Sequence, residues 1–99
     1  MKVKILNKTK NELKIEIDGE GHTFCNVVQK ALLKNKSVDL AGYDVPHPLT
    51  ASPVIYLRTK RQTKPEIVLR DSVRTVYKDT EVFRVAFNKA LKEWQSQQS

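Results

Sequence analysis

The sequence predicts a single α+β domain in which a four-stranded sheet is covered on one face by two helices, in the order β-β-α-β-β-α. Three observations predict it. Near the start, two short stretches alternate apolar and polar residues, the period of half-buried strands. A following stretch places apolar residues three and four apart, the period of an amphipathic helix. The last third is one apolar stripe at heptad spacing, Leu69, Val73, Val76, Phe83, Phe87, Ala90 and Trp94, interrupted only at Thr80.

Each element has a local reason. Val3 and Ile5 alternate with Lys2 and Lys4, and the polar cluster Asn7–Asn11 then turns the chain. Leu13, Ile15 and Ile17 alternate with Lys14, Glu16 and Asp18, so the first two strands should pair as a hairpin. Two glycines in Asp18-Gly19-Glu20-Gly21 break the pattern. Phe24, Val27, Val28, Ala31 and Leu32 then form a helical stripe, with His22 or Thr23 at the capping position. Val38–Val45 reads as a third strand. The two prolines of Pro46-His47-Pro48-Leu49 keep that stretch out of helix and sheet. Val54-Ile55-Tyr56-Leu57 is an unbroken apolar run, which predicts a fourth strand buried on both faces. Thr63, Pro65 and Glu66 stand as N-cap, first-turn proline and capping-box acid of a long final helix.

From Glu66 to Trp94 one continuous helix would run on the order of 40 Å. A compact domain of this size has a radius of gyration of about 13 Å. The distal turns should therefore overhang the core and leave their stripe uncovered. The polar stretch Lys78-Asp79-Thr80-Glu81 offers two alternatives: a bend or break in the helix, or a polar group that sets register within the seam. The expected partner interface comprises Phe24, Val27, Val28 and Ala31 of the first helix with Val76, Phe83, Phe87, Ala90 and Trp94 of the long one.

Composition narrows the function. Ninety-nine residues, 39% hydrophobic and 29% charged, suit one globular domain spanning residues 1–99. No apolar run approaches the roughly 20 residues of a membrane span. The opening Met1-Lys2-Val3-Lys4 is followed by no apolar block, so no secretory signal is expected. A lone cysteine, Cys25, cannot staple a fold and fits a reducing compartment. The formal charge is +7, with the densest basic cluster at Arg58, Lys60, Arg61 and Lys64. Little aromatic interleaving accompanies it, which favours solvated loop charges or an acidic protein over nucleic acid.

Motifs for chemistry are missing. There is no phosphate-binding glycine loop, nucleophile elbow, CxxC or HExxH spacing. Cys25 falls beside an apolar stripe and reads as an inert buried thiol rather than a nucleophile. Asp18, Glu20 and His22 alternate as three ligands would, although a polar turn explains them as well. His47 is a loop residue between prolines, structural on generic grounds. No cofactor, metal or catalytic residue is expected.

The stretch Gly19-Glu20-Gly21-His22-Thr23-Phe24-Cys25-Asn26 resembles the Gly-Glu-Asp-His-Thr-Leu-Gly-Asn motif of the small alpha-like subunit of DNA-directed RNA polymerase. That family includes archaeal subunit L, eukaryotic RNA polymerase II subunit 11 and, more distantly, the bacterial alpha amino-terminal domain. Downstream, Tyr43-Asp44-Val45-Pro46-His47-Pro48-Leu49 resembles its Tyr-x-x-Pro-His-Pro-Leu motif, and Thr63-Lys64-Pro65-Glu66 opens the final helix where the family does. Gly21, Phe24 and Cys25 depart from the first motif, and Lys60-Arg61 stand where the family has an acidic-glycine turn.

The resemblance implies a non-catalytic assembly subunit. It would heterodimerise with the larger alpha-like subunit, called D in archaea, through its two helices, and the pair would carry the catalytic subunits. Lys30 falls where bacterial alpha has an arginine of its first helix, a position implying contact with a large subunit. No small-molecule substrate, membrane or direct DNA contact is implied. The archaeal reading implies a cytoplasmic protein, the eukaryotic one a nuclear protein. The competing reading from charge alone is a free-standing basic homodimer that binds nucleic acid.

Overall fold

A computed structural model of the chain describes residues 1–19, 22–45, 52–78 and 80–98, with His22 described in its backbone only. The strands are β1 (Lys2–Lys8), β2 (Glu12–Asp18), β3 (Val38–Asp44) and β4 (Val54–Thr59); the helices are α1 (His22–Lys34), α2 (Pro65–Val76) and α3 (Glu81–Gln98). The sheet is antiparallel in the order β1-β2-β4-β3. The expected hairpin of the first two strands forms, with Val3 opposite Ile17 and Ile5 opposite Ile15.

Alternation aims one set of side chains at the helices. Ile15 faces Ile55 across the β2–β4 pair, and Leu57 stands between Leu13 and Ala41. These residues, with Ile5 and Ile17, are buried and share one core with Phe24, Cys25, Val28, Leu32, Val68, Leu69, Val73, Phe83, Phe87 and Ala90. One-sided burial corrects the reading of β4. Ile55 and Leu57 are buried, but Val54 and Tyr56 are only half-buried, because among the described residues no second layer covers the far face of the sheet. There the Tyr56 hydroxyl donates to Glu12 Oε1 at 3.0 Å. Partial burial, and then that carboxylate, push the Tyr56 hydroxyl above its ordinary pKa.

Helix starts also differ from expectation. Thr23 lies inside the first turn of α1 and is exposed, so it is not the cap, and the His22 side chain lies outside the described part. At α2 the N-cap is Lys64, with no side-chain cap bond, and Pro65 opens the helix. Thr63 does not form the expected capping box because the groups the box needs are engaged in the preceding turn: its N–H donates to the Lys60 carbonyl at 3.2 Å and its hydroxyl to the Arg61 carbonyl at 3.5 Å. Glu66 is largely covered and instead meets Lys8 Nζ at 3.3 Å. At the far end of the sheet Gly19 takes a φ of 94°, a backbone state that side chains disfavour, so glycine suits this turn.

The largest correction concerns the last helix, which is two helices. Tyr77 is extended (φ −127°, ψ 132°) while its N–H still bonds the Val73 carbonyl at 3.1 Å. Helix resumes where the Arg84 N–H bonds the Thr80 carbonyl at 2.8 Å. The break decides between the Thr80 alternatives in favour of interruption. It also turns α3 back along β1, where Phe83, Phe87 and Ala90 enter the chain's own core. Phe24 of α1 clasps the joint, its ring 5.5 Å from Tyr77 and 6.1 Å from Phe83, and Phe83 stacks on Phe87 at 5.4 Å. The physical reason is exposure. A continuous helix would leave two phenylalanines in water, whereas three or four residues of lost helix let both be buried. The resulting radius of gyration is 12.6 Å, with no overhang.

Truncating a fully buried phenylalanine costs about 3–5 kcal/mol. Phe87→Ala should therefore lower the unfolding free energy of the isolated chain by that amount in urea titration. A loss below about 1 kcal/mol would place Phe87 outside the core.

Candidate partner interface

The stripe read from sequence is real as a periodicity, but the chain itself occupies most of it. Of the nine expected interface residues, Phe24, Val28, Phe83, Phe87 and Ala90 are buried in the lone chain. Val27, Ala31 and Trp94 are half-buried, and Trp94 packs against the core. Val76 remains 38% exposed, on the same face as Leu69 and Val73 but at the end of α2, where the chain turns away. The expectation of an uncovered stripe is thus corrected. Folding α3 onto β1 supplies the cover that a straight helix would have lacked.

The exposed apolar surface lies elsewhere on the helical layer. Leu33 of α1 and Ile67 of α2 are 57% and 45% exposed, although α1 and α2 pack side by side. Lys30 is exposed on α1, one turn from Leu33 and Lys34. On α3, Val82 and Val85 are more than half exposed and line a cleft of about 770 Å³ against β1, where Val3 and Ile5 form the opposite wall. Sequence reasoning missed Leu33, Ile67, Val82 and Val85. The signal was available, since each is apolar but out of phase with its own helix's buried stripe, where a solvated helix carries polar residues. Large side chains left exposed in that way mark contact surfaces when they adjoin.

Among the described residues, no three His, Cys, Asp or Glu side chains converge as metal ligands would. Glu20 and the side chain of His22 lie outside the described residues, so the Asp18–Glu20–His22 set is not described; Asp18 accepts a hydrogen bond from Ser52 Oγ at 3.2 Å. His47 also lies outside them. Cys25 is fully buried in the first turn of α1, among the core residues. No described helix is long and apolar enough to cross a membrane.

Comparison with known proteins gives one consistent result. Residues 12–86 match the RNA polymerase Rpb3/Rpb11 dimerisation domain. The DNA-directed RNA polymerase subunit Rpo11 of Methanocella arvoryzae is 36% identical over 92 residues, covering 93% of this chain and 99% of the relative. Rpo11 of Methanosarcina acetivorans is 37% identical over 90 residues, covering 91% and 97%. Among solved structures, DNA-directed RNA polymerase subunit L of Thermoplasma acidophilum superposes with a TM-score of 0.68 at 28% identity, covering 95% of this chain and 92% of that one.

The burial of Cys25 yields a direct check. Its thiol should react with an aromatic disulfide reagent only as fast as the chain opens, and at once in denaturant. Rapid labelling of the native chain would show that α1 does not seat as described.

Proposed function

The chain belongs to the RNA polymerase Rpb3/Rpb11 dimerisation-domain family, and from that premise we propose that it is a non-catalytic assembly subunit of a DNA-directed RNA polymerase. It pairs with the larger alpha-like polymerase subunit through the outer face of its helices, and the pair forms the platform for the catalytic subunits. The relatives are archaeal, and the proposal accordingly places the chain in the cytoplasm.

One observation carries the pairing surface: apolar side chains stand exposed on the helical layer while the core beneath them is already full. Leu33 and Ile67 project from the outer sides of α1 and α2, Val76 is exposed at the end of α2, and Val27 and Ala31 of α1 are half-buried. Fully burying a large aliphatic side chain contributes roughly 1.5–3 kcal/mol. These three are already about half covered, at 57%, 45% and 38% exposed, so covering the rest supplies on the order of 2–4 kcal/mol before association costs are set against it. Covering them needs no rearrangement of the α3 core. Phe24, Val28, Phe83, Phe87 and Ala90 then act from beneath, by holding the helices whose outer faces meet the partner. Lys30 stands on that outer face as the contact toward a large subunit.

The division of labour between outer and inner residues is what an experiment can separate. Leu33→Asp with Ile67→Asp should weaken association with the larger alpha-like partner at least about 100-fold, while unfolding of the isolated chain changes by no more than about 0.5 kcal/mol. Phe87→Asp should instead unfold the isolated chain. Undiminished co-purification of the Leu33/Ile67 variant with that partner would overturn the outer-face surface.

A further inference from the structure

Six of the eighteen basic residues of this chain stand at one end of the molecule. Three turns meet there: Thr9–Asn11 between β1 and β2, Asn35–Ser37 between α1 and β3, and Lys60–Lys64 between β4 and α2. Hydrogen bonds tie them together. The Thr59 N–H donates to the Asn11 carbonyl at 2.8 Å, and the Lys60 N–H to the Ser37 carbonyl at 2.9 Å. The Asn11 side chain donates to the Lys60 carbonyl at 2.7 Å and to Thr59 Oγ1 at 3.3 Å. Gln62 takes a φ of 62° within the tightest of these turns, where the Thr63 N–H closes back on the Lys60 carbonyl. The backbone of this end is therefore held by its own polar groups.

From it project Lys10, Lys34, Lys36, Lys60, Arg61 and Lys64, all exposed. None of the six has a carboxylate partner among the described residues. The acidic groups nearest in sequence are engaged elsewhere, Asp39 with Arg58 at 2.9 Å, Glu66 with Lys8 and Glu12 with Tyr56. The chain carries eighteen basic residues against eleven acidic ones, and a third of the basic ones stand at this end. Two of the exposed apolar residues adjoin this end. Leu33 precedes Lys34, and Ile67 lies one turn beyond Lys64.

We infer that the basic end is the charged rim of the pairing face and that it docks an acidic patch on the larger alpha-like partner. The inference rests on the pairing proposed above and adds the chemistry of the partner. Apolar faces attract with little discrimination, while charge at their edge sets which partner is accepted and how fast it arrives. Six like charges at the edge of the face favour a carboxylate-rich surface opposite them and disfavour a basic one. The absence of stacking aromatics among the six, and the apolar residues at their border, fit a protein surface better than a nucleic-acid strand.

The test is the rate at which the chain associates with the larger alpha-like partner between about 0.05 and 0.5 M salt, where the Debye length shrinks several-fold. The natural chain should slow at least about 10-fold across that range. The variant Lys34→Glu, Lys36→Glu, Lys60→Glu, Arg61→Glu should associate at least about 10-fold more slowly at low salt and lose most of the salt dependence. The milder Lys60→Ala, Arg61→Ala pair should fall between, which guards against a folding defect. A charge-reversed chain that pairs at the natural rate would overturn the inference while leaving the pairing intact. So would binding of a duplex DNA of about 20 base pairs that the reversal abolishes without touching association with the protein partner. Failure of the natural chain to pair with that partner at any salt would remove the pairing reading, and this inference with it.

Discussion

The whole structure depends on two phenylalanines finding cover inside their own chain. Phe83 and Phe87 stack 5.4 Å apart beneath α3, and Phe24 of α1 reaches 6.1 Å to Phe83. That contact joins the first helix to the last, across most of the sequence. It also needs the chain to leave helical geometry at Tyr77 and resume after Thr80. Breaking the helix sacrifices a few hydrogen bonds that water readily replaces, each worth about 1 kcal/mol net. Burying two aromatic rings outweighs that loss. The sheet face under α3, with Ile5 and Ile17, is covered by the same event.

Once the core is closed in this way, what stays exposed acquires meaning. A 99-residue domain has few apolar side chains to spare, and five helix residues, Leu33, Ile67, Val76, Val82 and Val85, remain exposed. Family membership supplies the reason, because a dimerisation domain is built to be completed by another chain. The basic end fits the same logic. Hydrogen-bonded turns hold six cations that make no ion pair among the described residues, and their solvation is what an acidic partner would replace. Interior packing thus fixes the shape, while the surface left over selects the company.

Legibility in the sequence followed the range of the interactions involved. β2 was readable from Leu13, Ile15 and Ile17 because alternation is a local property. The start of α2 at Pro65 was readable for the same reason, although Thr63 was misjudged as its cap. The cap failed because the Thr63 N–H and hydroxyl are taken by the Lys60 and Arg61 carbonyls, in a turn that Asn11 ties down from 48 and 52 positions away. The apolar run of β4 suggested two buried faces; whether a face is covered depends on which layers exist, which no run of four residues contains. The stripe from Leu69 to Trp94 was legible in every position, yet its owner was not.

Residue types and their spacing alone determined the element order, the sheet-and-helix layering, the polymerase-subunit resemblance and the want of catalytic motifs. Tertiary structure alone decided where the last helix breaks, which apolar side chains are consumed internally and which remain for a partner, and that scattered lysines gather at one end. The physical reason is that periodicity is encoded over a few residues, whereas burial is a contest among all apolar surfaces of the chain for the same limited cover. Phe87 reads as an interface residue in one dimension; only the folded sheet shows that the chain's own core has claimed it, while Ile67 stays exposed.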